Sequence, residues 1–298
     1  MKNKKLKVGR IPYANFFPVF YYFDKECCNS AYEFFHGVPS KLNKMLRGGK
    51  LDISPSSSIE FLRNKDKYLI LPWFSVSSAG PIYSIRLFSK LPLHKLGGKE
   101  IALSSDSETS NVLLKIILEE FLSLKCKFSS TSQRKVEDIL STFSAVLHIG
   151  DTAMIEAKKI ASRVKSQESR KERNKDNSKR QIPKSKLLTP NSELYIYDLG
   201  ELWYEYTGLP FVFALWIVTK KAIAEKKELI RKLSADLIEA RKYASRKFKS
   251  IAKEAPQKKW LSEKELVDYW NIISYDFTEK HLEGLRLFEK YALKAKNG

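Results

Sequence analysis

The sequence is poor in the residues that most often hold metals, form disulfides or act as catalytic bases. Its 298 residues include three cysteines and four histidines. Cys27 and Cys28 are adjacent and Cys126 is alone, so the chain lacks a CxxC pair and supports neither a disulfide framework nor a zinc site. The motifs GxSxG, GxxxxGK(S/T), HExxH and GxGxxG are also missing. We therefore expect no metal and no cofactor, and reduced thiols fit a cytoplasmic protein.

Long apolar runs are missing as well. The longest, Leu209–Val218, spans ten residues, whereas a helix needs about 20 to cross a bilayer. The basic N-terminus is followed by Pro12, Pro18 and the charged run Asp24–Glu26 without a small-residue cleavage site, which does not match a signal peptide. We expect a soluble protein of the cytoplasm with no membrane partner.

Acidic residues are too few to balance the basic ones. The chain has 54 Lys and Arg against 34 Asp and Glu, a formal net charge of +20 at pH 7. Residues 156–186 alone carry twelve Lys or Arg and four Asp or Glu. Because so polar a segment cannot bury enough apolar surface to offset its ordering entropy, we interpret residues 157–192 as a basic insertion, either a solvated helical extension or a flexible loop. A nucleic-acid interface is the alternative, but aromatic residues are not interleaved with the basic ones, and we expect no nucleic-acid partner.

Alternating strand and helix patterns fill the rest of the chain. Short apolar runs bounded by polar loops predict strands at Leu6–Ile11, Leu51–Ser54, Tyr68–Leu71, Tyr83–Phe88, Glu100–Leu103, Ser144–Ile149, Tyr195–Gly200 and Leu209–Val218. Helices are predicted at Ser40–Leu46, after Ser110 and through the C-terminal region, where Ser262 and Glu265 offer a capping box. This order predicts an α/β fold of two lobes with a ligand cleft between them.

Two polar segments follow predicted strands, where α/β sheets bind ligands. The hydroxyl-rich run Ser104–Ser110 precedes an amphipathic helix and provides either a helix cap or a cradle for a carboxylate or phosphate. Asp151 follows the strand Ser144–Ile149 and either orients a hydroxyl group or stabilises its own turn. His148 lies inside that strand, which favours a hydrogen-bonded core histidine over a catalytic base.

Segments along nearly the whole chain resemble one enzyme family when they are taken in order. They are Gly9–Asn15, Gly37–Ser40, Gly49–Ser54, Ser58–Phe61, Gly80–Ile85, Ser107–Ser110, Ile149–Asp151, Asp198–Trp203 and Thr207–Trp216. Their order and spacing resemble the chorismate dehydratase family of the futalosine route to menaquinone. Ala14 stands where members often have leucine or threonine, and the basic insertion is longer than the family usually needs.

The resemblance implies a fold and a reaction. The fold is that of type 2 periplasmic binding proteins, with two α/β lobes, a hinge that the chain crosses twice and the ligand between the lobes. We expect residues 1–88 and 211–298 to form the first lobe and residues 89–210 the second. The reaction is the loss of water from chorismate to give 3-(1-carboxyvinyloxy)benzoate, without a metal or organic cofactor. The sequence does not predict the oligomeric state.

The resemblance also implies where the substrate lies. Asn15 and Ser84 are expected closest to the reacting ring, and because neither is a strong base, the substrate's own enolpyruvyl carboxylate is a candidate for that role. The expected substrate-binding residues offer hydroxyl, carboxylate or backbone groups: Ser56, Ser58, Ser107, Thr109, Ser110, Gly150 and Asp151. Ser56 and Ser58 either line the cleft or cap a helix.

Two related functions compete with this prediction. The 1,4-dihydroxy-6-naphthoate synthase of the same pathway shares the implied fold, although the segments Tyr13–Asn15 and Thr207–Phe211 look more like those of the dehydratase. A non-catalytic binding protein for an anionic solute would also share the fold, but we expect such a protein to be exported. A nucleic-acid-binding protein is supported only by charge.

Overall fold

The computed structural model describes residues 5–27, 29–172, 186–189 and 192–294, and the strands among them form two sheets. The first sheet has the strand order β2 (Tyr32–His36), β1 (Leu6–Arg10), β3 (Ile53–Ser57), β11 (Phe211–Thr219) and β4 (Tyr68–Ser78). β1 pairs in parallel with β2 and β3, whereas β11 runs antiparallel to β3 and β4.

The second sheet has the same mixed character. Its strand order is β7 (Lys127–Thr131), β6 (Glu100–Ser104), β8 (Ala145–Ile149), β5 (Ile85–Ser89), β10 (Ser192–Asp198) and β9 (Lys186–Thr189). β6 pairs in parallel with β7 and β8, and β5 joins β8 to β10 by antiparallel pairing. Parallel strands joined through helices therefore dominate one half of each sheet, as in other α/β proteins.

Helices surround both sheets. Those beside the first sheet are α1 (Phe17–Lys25), α2 (Pro39–Arg47), α3 (Ser58–Arg63), α8 (Lys220–Glu254, with a non-helical residue at Lys226), α9 (Glu263–Ile272) and α10 (Glu279–Lys294). Those beside the second sheet are α4 (Glu108–Ile116), α5 (Val136–Leu140), α6 (Gly150–Glu172) and α7 (Leu199–Thr207). Each sheet with its helices forms one lobe, which confirms the predicted two-lobed α/β class.

The chain passes between the sheets twice. It crosses first between Ser78 and Ile85, and it returns between Asp198 and Phe211, with α7 on the way. Because β5 pairs with β8 and β10, the first crossing ends a few residues before the lobe boundary that we expected after residue 88. The second crossing ends at Phe211, where β11 of the first sheet begins.

The apolar strand β11 is buried on both faces, as its sequence predicts. Phe211 and Leu215 are fully buried, and Trp216 is 4% exposed. Trp203 from α7 is also fully buried and packs edge-on against Phe211, with ring centroids 5.1 Å apart. These aromatic residues are core residues, as we expected, and they join the second crossing to the first lobe.

The first part of the basic insertion is helical. α6 continues through Glu172, and Ile160 on its inner face is 5% exposed, so this part packs against the second lobe. β9 forms an edge strand beside β10. The helical-extension interpretation therefore holds up to residue 172, and the alternatives for residues 173–185, 190 and 191 lie outside the described residues.

Candidate active site between the lobes

The lobes enclose a small cavity where β1 and β3 of the first sheet and β8 of the second sheet end. Its volume is about 60 Å³, so only a ligand of a few atoms enters unless the lobes separate. The lining residues are Ile11, Tyr13, Asn15, Phe16, Pro39, Ser57, Val76, Ser84, Ile85, Ser107, Ser110, Ile149, Gly150, Phe213 and Ala214. Within the described part of the chain, this lining combines hydroxyl groups and one amide with apolar side chains and contains no Lys, Arg, His or carboxylate.

Asn15 lies in the loop that follows β1. Its side-chain oxygen Oδ1 is buried and accepts no hydrogen bond from the described residues. A buried amide oxygen without a donor costs free energy, so this atom is free to accept a hydrogen bond from a ligand. The structure thus places Asn15 in the cleft with unused hydrogen-bonding capacity, while its catalytic role stays a prediction.

Ser84 lies on the first crossing, where residues 82–84 are hydrogen bonded to the second lobe. Its carbonyl accepts a hydrogen bond from Gly150 N at 2.7 Å. The carboxylate of Asp198 accepts hydrogen bonds from Ile82 N at 3.0 Å and from Tyr83 N at 2.6 Å. Asp198 was not among the expected site residues, although its place just before a helix is typical of an N-cap, and it also caps α7.

The N-terminus of α4 supplies the hydroxyl groups that the sequence predicted. Ser107 caps the helix, because its Oγ accepts a hydrogen bond from Ser110 N at 3.3 Å, and both residues also line the cavity. Ser107 is therefore the helix cap, and its role as a cradle for an anion stays a prediction. Thr109 lies outside the lining: its Oγ1 accepts a hydrogen bond from Ile59 N at 3.0 Å and so links α4 to α3 of the other lobe. Since a helix N-terminus carries partial positive charge, this end favours an anion.

Gly150 lies directly against Tyr13 of the opposite lobe. Its φ of +59° is in the left-handed region, and a Cβ atom at this position would lie 2.9 Å from Cε2 of the Tyr13 ring. Glycine is therefore required both by the backbone and by the close approach of the ring. Burial raises the pKa of the Tyr13 hydroxyl, with Asp106 and Asp151 adding to the effect, so the hydroxyl stays neutral.

Asp151 joins the lobes instead of lining the cavity. Its Oδ1 accepts a hydrogen bond from Ala14 N at 2.9 Å, and its Oδ2 accepts one from Gln257 Nε2 at 3.5 Å. Burial raises the pKa of the Asp151 carboxyl, while these two hydrogen bonds lower it in part. The hydrogen bond to Ala14 holds the loop before Asn15. It is neither of the two roles predicted for Asp151, which were to orient a hydroxyl group or to stabilise its own turn.

Ser56 of β3 and Ser58 of α3 were expected at the site but do not line the cavity, whereas Ser57 between them does. Ser56 is fully buried and its Oγ has no partner among the described residues, and Ser58 Oγ donates to the carbonyl of Val212. Ser57 lines the cavity, and its Oγ accepts a hydrogen bond from Asn43 Nδ2 at 2.8 Å. The hydroxyl run Ser56–Ser58 signals this site, but strand alternation decides which serine faces it.

His148 lies outside the cavity lining, as a core histidine would. It is 3% exposed, and burial lowers the pKa of its imidazole. Its Nε2 has no partner among the described residues, so the hydrogen bonding that we expected is only partly present.

The sequence matches one family model along nearly its whole length. The model, described as "Menaquinone biosynthesis", matches residues 6–167 and 182–294. This chain belongs to the menaquinone biosynthesis family. The unmatched residues 168–181 lie inside the basic insertion.

Curated relatives agree with this assignment. A protein named chorismate dehydratase from Thermus thermophilus is 29% identical over 286 residues, which cover 94% of this chain and 93% of that protein. A second chorismate dehydratase, from Campylobacter jejuni, is 28% identical over 229 residues, which cover 75% of this chain and 72% of that protein.

Solved structures support the fold. A crystal structure of a protein from Archaeoglobus fulgidus superposes with a TM-score of 0.70 over 98% of both chains, at 18% identity. The periplasmic aliphatic sulphonate binding protein of Escherichia coli superposes with a TM-score of 0.62 over 98% of this chain and 93% of its own, at 10% identity. The predicted periplasmic-binding-protein fold is confirmed. Among the described residues, no helix is both long and apolar enough to span a bilayer.

Proposed function

We propose that this chain is a chorismate dehydratase that acts in the cytoplasm. It converts chorismate to 3-(1-carboxyvinyloxy)benzoate and water, the first step of the futalosine route to menaquinone. The observation that carries the proposal is the similarity, over most of its length, to two curated proteins of that name.

The cleft offers polar groups suited to a dicarboxylate, and the lobes must separate for a molecule of this size to enter the cavity of about 60 Å³. The N-terminus of α4, with the hydroxyls of Ser107 and Ser110, accommodates a carboxylate. Asn15 and Ser84 line the same cavity and lie beside the ring in this proposal. Gly150 allows Tyr13 to close over the ligand, because any larger residue would meet the ring. Closure then excludes water and strengthens these hydrogen bonds.

In this reaction the protein mainly positions the substrate and stabilises the charge that develops. The ring carbon that bears the enolpyruvyl ether loses its proton, and the resulting negative charge is delocalised as a dienolate into the ring carboxylate. The neighbouring hydroxyl then leaves with a proton as water, and the ring becomes aromatic. No electron acceptor is needed, because the step is redox-neutral. Hydrogen bonds that stabilise the dienolate and the departing oxygen account for the catalysis.

The base in this proposal is the substrate's enolpyruvyl carboxylate. No basic side chain is found among the described lining residues, and the Asp151 carboxylate already accepts hydrogen bonds from Ala14 and Gln257. A carboxylate carried by the substrate lies close to the proton on the ether-bearing carbon. Asn15 and Ser84 then orient this group and the leaving hydroxyl.

Incubation of purified, chelator-treated protein with chorismate tests the proposal. We expect the aromatic product to accumulate, as followed by absorbance and mass spectrometry, without an added cofactor. Conversion only of a later pathway intermediate would support the naphthoate synthase, and binding of chorismate without turnover would support a binding protein. Either result would contradict the dehydratase, and activity that returns only with an added metal ion would contradict a cofactor-free reaction.

A further inference from the structure

Two buried polar groups from one C-terminal segment reach the loop that carries Asn15. Tyr275 OH donates a hydrogen bond to the carbonyl of Asn15 at 2.5 Å. Trp270 Nε1 donates to the carbonyl of Ala14 at 2.9 Å.

Neither side chain lines the cavity, so Tyr275 and Trp270 act on a ligand only through their partners. Trp270 is 1% exposed. A phenylalanine at such positions would bury a similar apolar area, and the hydroxyl and indole N–H groups are tolerated there because each has a partner. Burial also raises the pKa of Tyr275, so its hydroxyl stays protonated at physiological pH.

The segment is itself rigidly held. α9 begins at the capping box predicted from the sequence: Ser262 Oγ accepts a hydrogen bond from Glu265 N at 3.2 Å, and Glu265 Oε2 accepts one from Ser262 N at 2.6 Å. After α9, Ser75 N donates to the carbonyl of Tyr275 at 3.1 Å, and Ser77 exchanges backbone hydrogen bonds with Ser274. The end of β4 therefore fixes the segment at a second point.

We propose that the segment Trp270–Tyr275 is the positioning unit of the active site, with Tyr275 and Trp270 fixing the Ala14–Asn15 backbone. The inference rests on the proposed function for its kinetic readout. A group that stabilises a transition state must be held within a fraction of an ångström, and a segment anchored at both ends can provide that precision.

The test compares Tyr275→Phe with Tyr32→Phe. Tyr32 is a matched control because it is 4% exposed and its hydroxyl donates to Asp236 at 2.5 Å, away from the cleft. We expect Tyr275→Phe to lower kcat for chorismate about tenfold while KM changes less than about twofold. The control should keep both constants within about twofold. Unchanged kcat in Tyr275→Phe would overturn the proposal.

A double variant separates positioning from general damage to the fold. If Tyr275 acts through Asn15, Tyr275→Phe should lower kcat by less than about twofold when Asn15→Ala is already present, because the two effects share one group. Full additivity would contradict positioning.

A readout that needs no turnover keeps this inference distinct from the proposed function. Amide hydrogen exchange across residues 13–16 should be faster in Tyr275→Phe than in the wild type and unchanged in Tyr32→Phe. If the wild type fails to convert chorismate, the proposed function fails, and this exchange measurement alone decides whether the segment holds the loop. Equal exchange in all three proteins would show that it does not.

Discussion

The cleft between the lobes and a hollow at the opposite end of the first sheet differ in size and in how their polar groups are used. The hollow measures about 790 Å³, against about 60 Å³ for the cleft. Charged residues dominate its lining, and we call it the basic hollow: Lys5, Lys7, Glu33, Arg47, Asp52, Lys67, Lys221, Glu225 and Lys226. Size alone would select the hollow as the ligand site.

The hydrogen bonds and ion pairs of the polar groups favour the cleft instead. In the hollow, Lys226 pairs with Asp52 at 2.6 Å and Arg47 pairs with Glu60 at 2.8 Å, so these charges are already compensated within the protein. In the cleft, the buried Oδ1 of Asn15 accepts no hydrogen bond from the described residues. Buried groups with unused hydrogen-bonding capacity indicate a ligand site better than volume does.

The largest expected effect separates the two regions directly. Asn15→Ala removes the amide that we propose to lie beside the reacting ring, so turnover of chorismate should fall by more than tenfold while the melting temperature stays close to that of the wild type. Lys67→Ala in the basic hollow should leave turnover unchanged. Equal rates for Asn15→Ala and the wild type, measured at saturating chorismate, would remove Asn15 from the mechanism.

Closure of the cleft is tested at Gly150. Gly150→Ala places a Cβ against the Tyr13 ring, so we expect kcat/KM to fall about tenfold as the lobes are kept apart. Gly98→Ala is the matched control, because Gly98 has a φ of +73° but has no atom within 4 Å of its Cβ position. Both variants carry the backbone strain of a positive φ, and only the first should lose activity. A similar loss in both would show that strain, not contact with Tyr13, is responsible.

A smaller effect is expected on stability at Asp151. Because burial raises the pKa of this carboxyl, its ionised form is disfavoured in the folded protein, and its contribution to stability decreases as the pH rises through that pKa. Asp151→Asn still accepts the hydrogen bond from Ala14 and can donate to the buried Oε1 of Gln257. We expect the variant to melt higher than the wild type at pH 7, by about 2 to 4 °C, and to lose this advantage towards pH 4.

In the same assay, Asp236→Asn should show the opposite dependence of stability on pH. Burial alone would raise the pKa of Asp236, but hydrogen bonds from Lys232 and Tyr32 hold it below its ordinary value. The Asp236 charge therefore stabilises the fold at neutral pH, and this variant should be more destabilised at pH 7 than at pH 4. The same trend with pH in both variants would contradict the account of Asp151.

The smallest effect is expected in the basic insertion. Because Ile160 packs in the second lobe, a replacement should begin after it, and residues 168–181 are the part without a counterpart in the family match. Exchanging them for a Gly/Ser linker should change turnover less than about twofold at physiological salt, since screening over about 8 Å limits the action of exposed charges. If these cations steer the anionic substrate, the second-order rate constant falls and its salt dependence flattens. Loss of turnover at saturating substrate in a folded variant would contradict both interpretations.

Local patterns in the sequence were enough to predict most helices and strands and part of the site. The apolar run at β11 and the capping box at Ser262 each depend on residues a few positions apart, and both were predicted. A helix cap within Ser104–Ser110 was one of two predicted roles for that run, and Ser107 is the residue that caps α4. The cleft position of Asn15 and Ser84 came from the resemblance to a family, because neither has a local signature.

Contacts between distant parts of the chain could not be predicted in this way. Ser57 faces the cleft and Ser56 does not because β3 pairs with β11, which places Ser57 opposite Ala214 and Ser56 opposite Leu215. Asp151 meets Ala14, which is 137 residues away, and Tyr275 meets Asn15 across 260 residues. An apolar pattern at α9 indicates a buried face, but it does not show which loop that face holds in place.

The central claim is that chorismate is dehydrated in the cleft and that the basic hollow takes no part. Single-turnover reactions with protein in excess over chorismate, followed by proton NMR, test it most directly in the wild type, Asn15→Ala and Lys67→Ala. The account predicts that 3-(1-carboxyvinyloxy)benzoate forms at the same rate with the wild type and Lys67→Ala, and more than tenfold more slowly with Asn15→Ala. Failure of the wild type to form this product, or a rate that falls with Lys67→Ala and not with Asn15→Ala, would contradict it.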